Sequence, residues 1–163
     1  MSLVIDKKIY SEEHPDTART YNNIGLVWYN KGQYEKAVEY YEKALTINKK
    51  IHGEEHPDIA IHYNNIGFAW NDKKQYDKAI AYYEKALIIN KKFHGEEHPD
   101  IAVDYNNIGL ALYNKGQYDK AIEYFEKALV ICKKFLGEEH PHTKLVEESL
   151  ELAHKTHDGS KSP

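Results

Sequence analysis

The segment Tyr63-Asn64-Asn65-Ile66-Gly67-Phe68-Ala69-Trp70 has two close copies in this chain. One is Tyr21-Asn22-Asn23-Ile24-Gly25-Leu26-Val27-Trp28, and the other is Tyr105-Asn106-Asn107-Ile108-Gly109-Leu110-Ala111-Leu112. Copies begin at positions 21, 63 and 105, a period of 42 residues. His-Pro steps keep the same beat at His14-Pro15, His56-Pro57, His98-Pro99 and His140-Pro141. Residues 56–97 and 98–139 differ at only 12 of 42 positions. A repeat of this length is one supersecondary unit, and units of this kind bury their apolar faces by stacking.

Each unit reads as two helices. In the first, Pro15-Asp16 opens a helix: proline suits the first turn, and an early acid suits the positive end of the helix dipole. Tyr21, Ile24, Gly25 and Trp28 then recur at helical spacing, and Asn30-Lys31-Gly32 breaks the pattern as a tight turn. A second helix is predicted from about Tyr34 to Ile51, with Ala37, Val38, Tyr41, Ala44 and Leu45 on one side and Gly53 as its stop. The second unit carries Asp72-Lys73-Lys74 in place of the glycine turn, so glycine is not required there.

The resulting division is 15–56, 57–98 and 99–140 for three repeats, with a capping helix over 141–155 and a disordered tail over 156–163. Residues 3–14 match 45–56, so 1–14 reads as the tail of a helix from a preceding, truncated repeat. In the capping helix Glu151 stands where the repeats have Gly25, Gly67 and Gly109. A glycine lets a partner helix approach closely, and a terminal helix has no such partner. The expected fold is all-α, a solenoid of antiparallel helix pairs ending in a polar cap.

These residues resemble a known family. Tyr21-x-x-Ile24-Gly25-x-x-Trp28 followed by Ala37-x-x-x-Tyr41-x-x-Ala44 is similar to the tetratricopeptide repeat signature, and the likeness covers residues 15–155. Two features depart from it. Lys49 stands where a proline is usual after the second helix, and the period of 42 exceeds the usual 34. The longer second helix, the Leu136-Gly137-Glu138-Glu139-His140-Pro141 linker and the paired asparagines resemble the kinesin light chain subtype, a pattern shared by many bacterial tetratricopeptide proteins. The resemblance implies a right-handed superhelix whose first helices line a concave, non-catalytic, peptide-binding groove.

An α-helix advances about 100° per residue, which assigns the faces. Tyr21, Ile24, Gly25 and Trp28 pack inward. The opposite side carries Arg19, Asn23, Leu26 and Asn30. The equivalent rows are Ile61, Asn65, Phe68 and Asp72, then Val103, Asn107, Leu110 and Asn114. Asn23, Asn65 and Asn107 are expected to be exposed in the groove and to contact ligand backbone. Asparagine offers both an acceptor and donors, and it is a poor residue for a helix interior without such a role. The family resemblance points the same way, since groove asparagines there hold peptide backbones. Asn22, Asn64 and Asn106 lie nearer the packing seam, where bonding a neighbouring helix and contacting ligand are both open. Leu26, Phe68 and Leu110 are the expected side-chain pockets.

Other classes of function find little support. His52-Gly53-Glu54-Glu55-His56 and its copy at 94–98 invite a metal reading, but a zincin needs both histidines on one helix, and glycine intervenes here. The serines, at 2, 11, 149, 160 and 162, lie outside the repeated groove, and Cys132 aligns with Asn48 and Asn90, so no nucleophile stands out. The 163 residues carry a net charge of −4, which supplies no global basic field for nucleic acid. One cysteine excludes an internal disulfide framework and suits a reducing compartment. No apolar run approaches the ~20 residues of a membrane span, and the start Met1–Asp6 is charged too soon for a signal peptide.

The expectation is therefore a cytoplasmic protein–protein interaction scaffold with no enzymatic activity, cofactor or metal. It is expected to hold an extended internal segment of a protein partner, with no nucleic-acid or membrane partner. A purely structural or oligomerisation spacer, and a regulatory or targeting fragment of a larger enzyme, are the alternatives. Weak self-association into a homodimer through residues 3–28 is expected from the apolar N-terminal end.

Overall fold

The computed structural model describes residues 14–160, and among these every regular element is a helix. They form α1 (Pro15–Asn30), α2 (Tyr34–His52), α3 (Pro57–Asp72), α4 (Tyr76–His94), α5 (Pro99–Asn114), α6 (Tyr118–Phe135) and α7 (Pro141–Ser160). The expected helix over Leu3–Tyr10, and with it most of the proposed self-association surface, lies outside the described residues. Helices pack on their neighbours in chain order: α1 on α2, α2 on α3, and so on to α7, with a smaller contact between α5 and α7. This is a solenoid of sequential antiparallel pairs.

The packing follows from a repeated knob and hole. The rings of Tyr41, Tyr83 and Phe125 lie against Gly25, Gly67 and Gly109 of the facing helix. A Cβ built on Gly67 would fall 2.4 Å from Tyr83 Cε1. Only glycine permits that approach. Ala37, Ala79 and Ala121, and about two helical turns later Ala44, Ala86 and Ala128, are fully buried beside these rings. Small residues there bring the backbones close, and the aromatic rings fill the remaining space.

Helix starts use the histidine of each His-Pro step as a cap. The His14, His56 and His98 rings each accept a hydrogen bond through Nδ1 from the backbone N–H of Asp16, Asp58 and Asp100, at 3.1, 3.2 and 3.2 Å. His140 does the same for His142. The His-Pro step is thus a cap followed by a first-turn proline, satisfying one orphan donor and lacking another. Helix stops fall at Gly53 and Gly95, both at positive φ. The turn within each pair needs a left-handed residue. Gly32 and Gly116 supply it, and Lys74 adopts the same conformation at φ 64°. The second repeat therefore keeps the turn geometry at some conformational cost.

The last helix is longer than the sequence suggests. The expected disordered tail began at Thr156, but α7 continues to Ser160. Docking explains the extension. The Thr156 hydroxyl lies 3.0 Å from the Tyr113 hydroxyl, and His157 Nε2 lies 2.6 Å from the Asp119 carboxylate. Glu151, in the glycine position, is exposed as expected.

Candidate functional site

The first helices of the pairs, α1, α3 and α5, lie side by side and present the rows picked out above. A cleft of about 310 Å³ opens between α3 and α5, lined by Ile61, Asn64, Asn65, Phe68, Val103 and Asn107, with Pro57, Asn90, Asp100 and Asp104. A second cleft lies between α1 and α3, lined by Leu26, Tyr29, Tyr41, Asn65 and Phe68. Asn65 and Phe68 line both, so the two clefts adjoin along α3. Its apolar patches are accessible: Leu26, Ile61 and Phe68 are exposed. Leu110, expected as a third pocket, is only half-exposed because it packs against the core around Phe125.

The asparagine row is not uniform. Asn23 is exposed, Asn65 is half-buried and Asn107 is buried, with 5% of its surface accessible. The expectation that all three are exposed fails at Asn107. It lies in a helix packed between α4 and α6 that also touches the last helix, α7. Nevertheless Asn107 lines the cleft, and its Nδ2 has no hydrogen-bond partner. Asn106, on the seam side, is also buried, with its Oδ1 unpartnered.

Several asparagines set the stack. Asn65 Nδ2 donates to Asn22 Oδ1 at 3.3 Å, and Asn114 Nδ2 donates to Asn71 Oδ1 at 3.3 Å. The Tyr29 hydroxyl donates to the Asp72 carboxylate. These bonds join successive first helices along the groove rim. Asn65 and Asn114, placed among ligand contacts by their row, therefore also bond a neighbouring repeat. Asn30 is exposed at the end of α1. Arg19 is exposed too and pairs with Asp16 at 2.8 Å, within its own helix.

The centre of the site is a carboxylate that the sequence reading passed over. Asp104 is fully buried at 0% accessibility. Asn64 Nδ2 donates to its Oδ1 at 2.8 Å, and Asn90 Nδ2 donates to its Oδ2 at 2.7 Å. Burial pushes the carboxyl up to about 6, against the two amide donors that pull it down. An ionised carboxylate only accepts, so it fixes which end of each amide faces it. With Nδ2 of Asn64 held by Asp104, its Oδ1 is left as an unpartnered acceptor on a cleft-lining side chain. A signal for this cluster existed. Positions 20, 62 and 104 carry Thr, His and Asp in otherwise near-identical repeats, and the seam partners at 48 and 90 are both Asn. Asn48 Nδ2 contacts His62 Nε2 at 2.5 Å, one repeat before the Asn90–Asp104 pair. At the third seam the pair becomes Cys132 and Val146, both buried.

Other candidates resolve into structure. His94, His98 and Asp100 converge, with His94 Nε2 at 3.2 Å and His98 Nδ1 at 3.5 Å from Asp100 Oδ2. The two rings stack 3.9 Å apart at 9°, so their lone pairs lie in parallel planes, and His98 Nδ1 is already the cap of α5. Cys132 is buried, its thiol pushed up by burial, which suppresses thiolate chemistry. Trp28 and Trp70 are half-buried at the interhelix seam, each under a lysine, Lys36 at 4.4 Å and Lys78 at 4.2 Å. The lysine pairs meet acids, Lys91 to Glu96 at 2.7 Å and Lys133 to Glu147 at 2.8 Å, as a charge-balanced surface. No helix among the described residues is long and apolar enough to cross a membrane.

Comparison with known proteins agrees with this architecture. The tetratricopeptide repeat family matches over residues 58–134 and 101–157 in one form and over 17–58 in another. The chain belongs to the tetratricopeptide repeat family. Solved structures with the same fold include BtubC (BKLC) from P. vanneervenii, at 28% identity and TM-score 0.77, covering 87% of this chain and 57% of that one. A Podosopora anserina protein described as a kinesin light chain with nearly identical TPR-like repeats matches at 25% identity and TM-score 0.76, covering 97% and 74% of the two chains. The TPR2AB domain of yeast Sti1, in complex with pHSP90, shares the fold at 22% identity and TM-score 0.70, covering 91% and 50%. This tetratricopeptide repeat chain therefore spans 57% of the length of BtubC, and its structural neighbours include kinesin-light-chain-like repeat proteins. No curated protein matches it. Tetratricopeptide repeat domains are typically protein–protein interaction modules, generally without catalysis of their own.

Proposed function

We propose that the groove along α1, α3 and α5 holds an extended segment of a partner protein. The observation that carries this reading is the pairing of unmet groups in one cleft: the acceptor Asn64 Oδ1 and the donor Asn107 Nδ2. An extended peptide offers the complementary set, a backbone N–H and a backbone C=O at each residue. Buried polar groups left without partners are costly, so a ligand that satisfies them gains more than a surface contact would. The exposed Leu26, Ile61 and Phe68 beside them supply contact area for alternate side chains of the segment. The Sti1 domain, of the same fold, is seen in complex with a protein partner, which is consistent with this use of the fold.

The test is titration calorimetry with peptides selected on a synthetic array. Replacing Asn23, Asn65 and Asn107 together by alanine removes donors and acceptors along the groove. Affinity is expected to fall by about 1 kcal/mol or more per lost hydrogen bond while helical content by circular dichroism is kept. Unchanged affinity in a folded triple variant refutes the groove as the binding site. The inter-repeat bonds of Asn65 and Asn114 favour a second, structural role for the same row, setting the stack. That role alone predicts a loss of melting temperature with no peptide bound by either protein.

A further inference from the structure

The cleft between α3 and α5 has a charge and a shape that select among side chains. Two carboxylates line it, Asp104 in its wall and Asp100 at its rim, and no lysine or arginine does. The remaining wall is apolar, from Ile61, Phe68 and Val103. The Asn64 carbonyl oxygen is buried in the cleft wall without a partner, because Asp104 holds the amide nitrogen at 2.8 Å. A long side chain with an aliphatic stem and a cationic head matches each part: the stem on the apolar wall, the head on the acceptors.

Resting on the peptide-groove reading, we infer that this cleft accepts a lysine or arginine side chain of the bound segment. The exposed Asp100 carboxylate meets the cationic head, and the buried, unpartnered Asn64 carbonyl is the acceptor behind it. Asp104 is a positioning residue. It does not reach the solvent surface, but it orients Asn64 and places a negative charge one side chain behind the cleft wall. Asn90 completes the arrangement by satisfying the other oxygen of Asp104, so the carboxylate is held in place from the α4 side. Asp100 Oδ2 also lies 3.2 Å from His94 Nε2, which anchors the rim carboxylate while leaving its side chain more than half exposed. A negatively charged or carboxylate-terminated residue in the same cleft meets two acids and no lysine or arginine. The second, independent mark of a ligand site is Asn107, 5% exposed with its Nδ2 unpartnered in the same cleft.

The experiment uses an array of random peptides, acetylated and amidated, against the whole chain. Peptides bound by the wild type are expected to share a lysine or arginine at one position. Replacing that residue by norleucine is expected to lower affinity about tenfold, the scale of one charge-assisted contact. Asp100→Asn, on the exposed rim, and the isosteric Asp104→Asn are each expected to shrink that lysine-to-norleucine ratio severalfold. Asp100→Asn keeps the test decisive if Asp104→Asn loses its melting transition. Bound peptides with no cationic preference, or a ratio unchanged in Asp100→Asn, overturn the inference and leave the groove reading standing. An array with no bound peptide overturns the groove reading and this inference with it.

Discussion

Adding one methyl group at Gly67 tests the packing on which the groove depends. The Cβ of Gly67→Ala would lie 2.4, 2.7 and 3.0 Å from Tyr83 Cε1, Cδ1 and Cζ. Carbon atoms in contact normally keep about 3.5–4.0 Å apart, so about 1 Å must be found. The Tyr83 ring is 1% exposed and has no free space to yield. Helices α3 and α4 must therefore separate, and overpacking of this kind costs about 1–3 kcal/mol. The clash is deep enough to place the cost at the upper end of that range. Alanine's better helix propensity returns about 1 kcal/mol. The net expectation is a loss of about 1–2 kcal/mol, or roughly 2–8 °C in melting temperature for a chain of this size. Gly159 is the control, since no heavy atom lies within 4 Å of a Cβ built there. Gly159→Ala is expected to be neutral or slightly stabilising. Thermal unfolding followed by circular dichroism reads both. The double variant Gly67→Ala with Tyr83→Leu should be less destabilised than the sum of the singles by about 1 kcal/mol, because leucine vacates the contested space. A melting temperature that rises in Gly67→Ala as it does in Gly159→Ala refutes the close-approach argument.

Two further outcomes follow from the site. Asp104 has its carboxyl pushed from 3.8 up to about 6 in the folded chain. Between these values the folded state binds more protons than the unfolded one, so this group's stability contribution is full below about 4. It is lost as pH rises to about 6 and is level above that. Carrying the carboxyl from 3.8 to about 6 corresponds to roughly 3 kcal/mol. Urea unfolding of wild type and Asp104→Asn, compared at pH 4 and pH 7, should show wild type losing most of that, about 2 kcal/mol, relative to the variant, and a pH-independent difference refutes it. The acidic lining of the cleft disfavours a free C-terminus, so amidating a selected peptide should leave its affinity within about threefold. A tenfold loss on amidation would show that a terminal carboxylate is recognised.

The 42-residue period is enough to specify a solenoid, because a unit with one apolar face has no other way to bury it than against the next unit. Within each unit, glycine facing an aromatic residue specifies where two helices touch, a local relation that spacing on each helix exposes. The rows of the first helices were also legible, since 100° per residue assigns a face without knowledge of neighbours. What neighbours do to those faces was not. Asn23, Asn65 and Asn107 occupy one position in three repeats, yet they run from exposed to buried, because burial is decided by which helices flank each repeat. Asn65 bonds Asn22, and Asn64 bonds Asp104, across separations of 43 and 40 residues. Such pairs depend on the rise and twist between repeats, which no single helix encodes. Asp104 is the clearest case. On the sequence it is a change from His62 at an interior helix position. Only when α4 supplies Asn90 and α3 supplies Asn64 does it become a buried carboxylate that orients its neighbours and gives the cleft its charge.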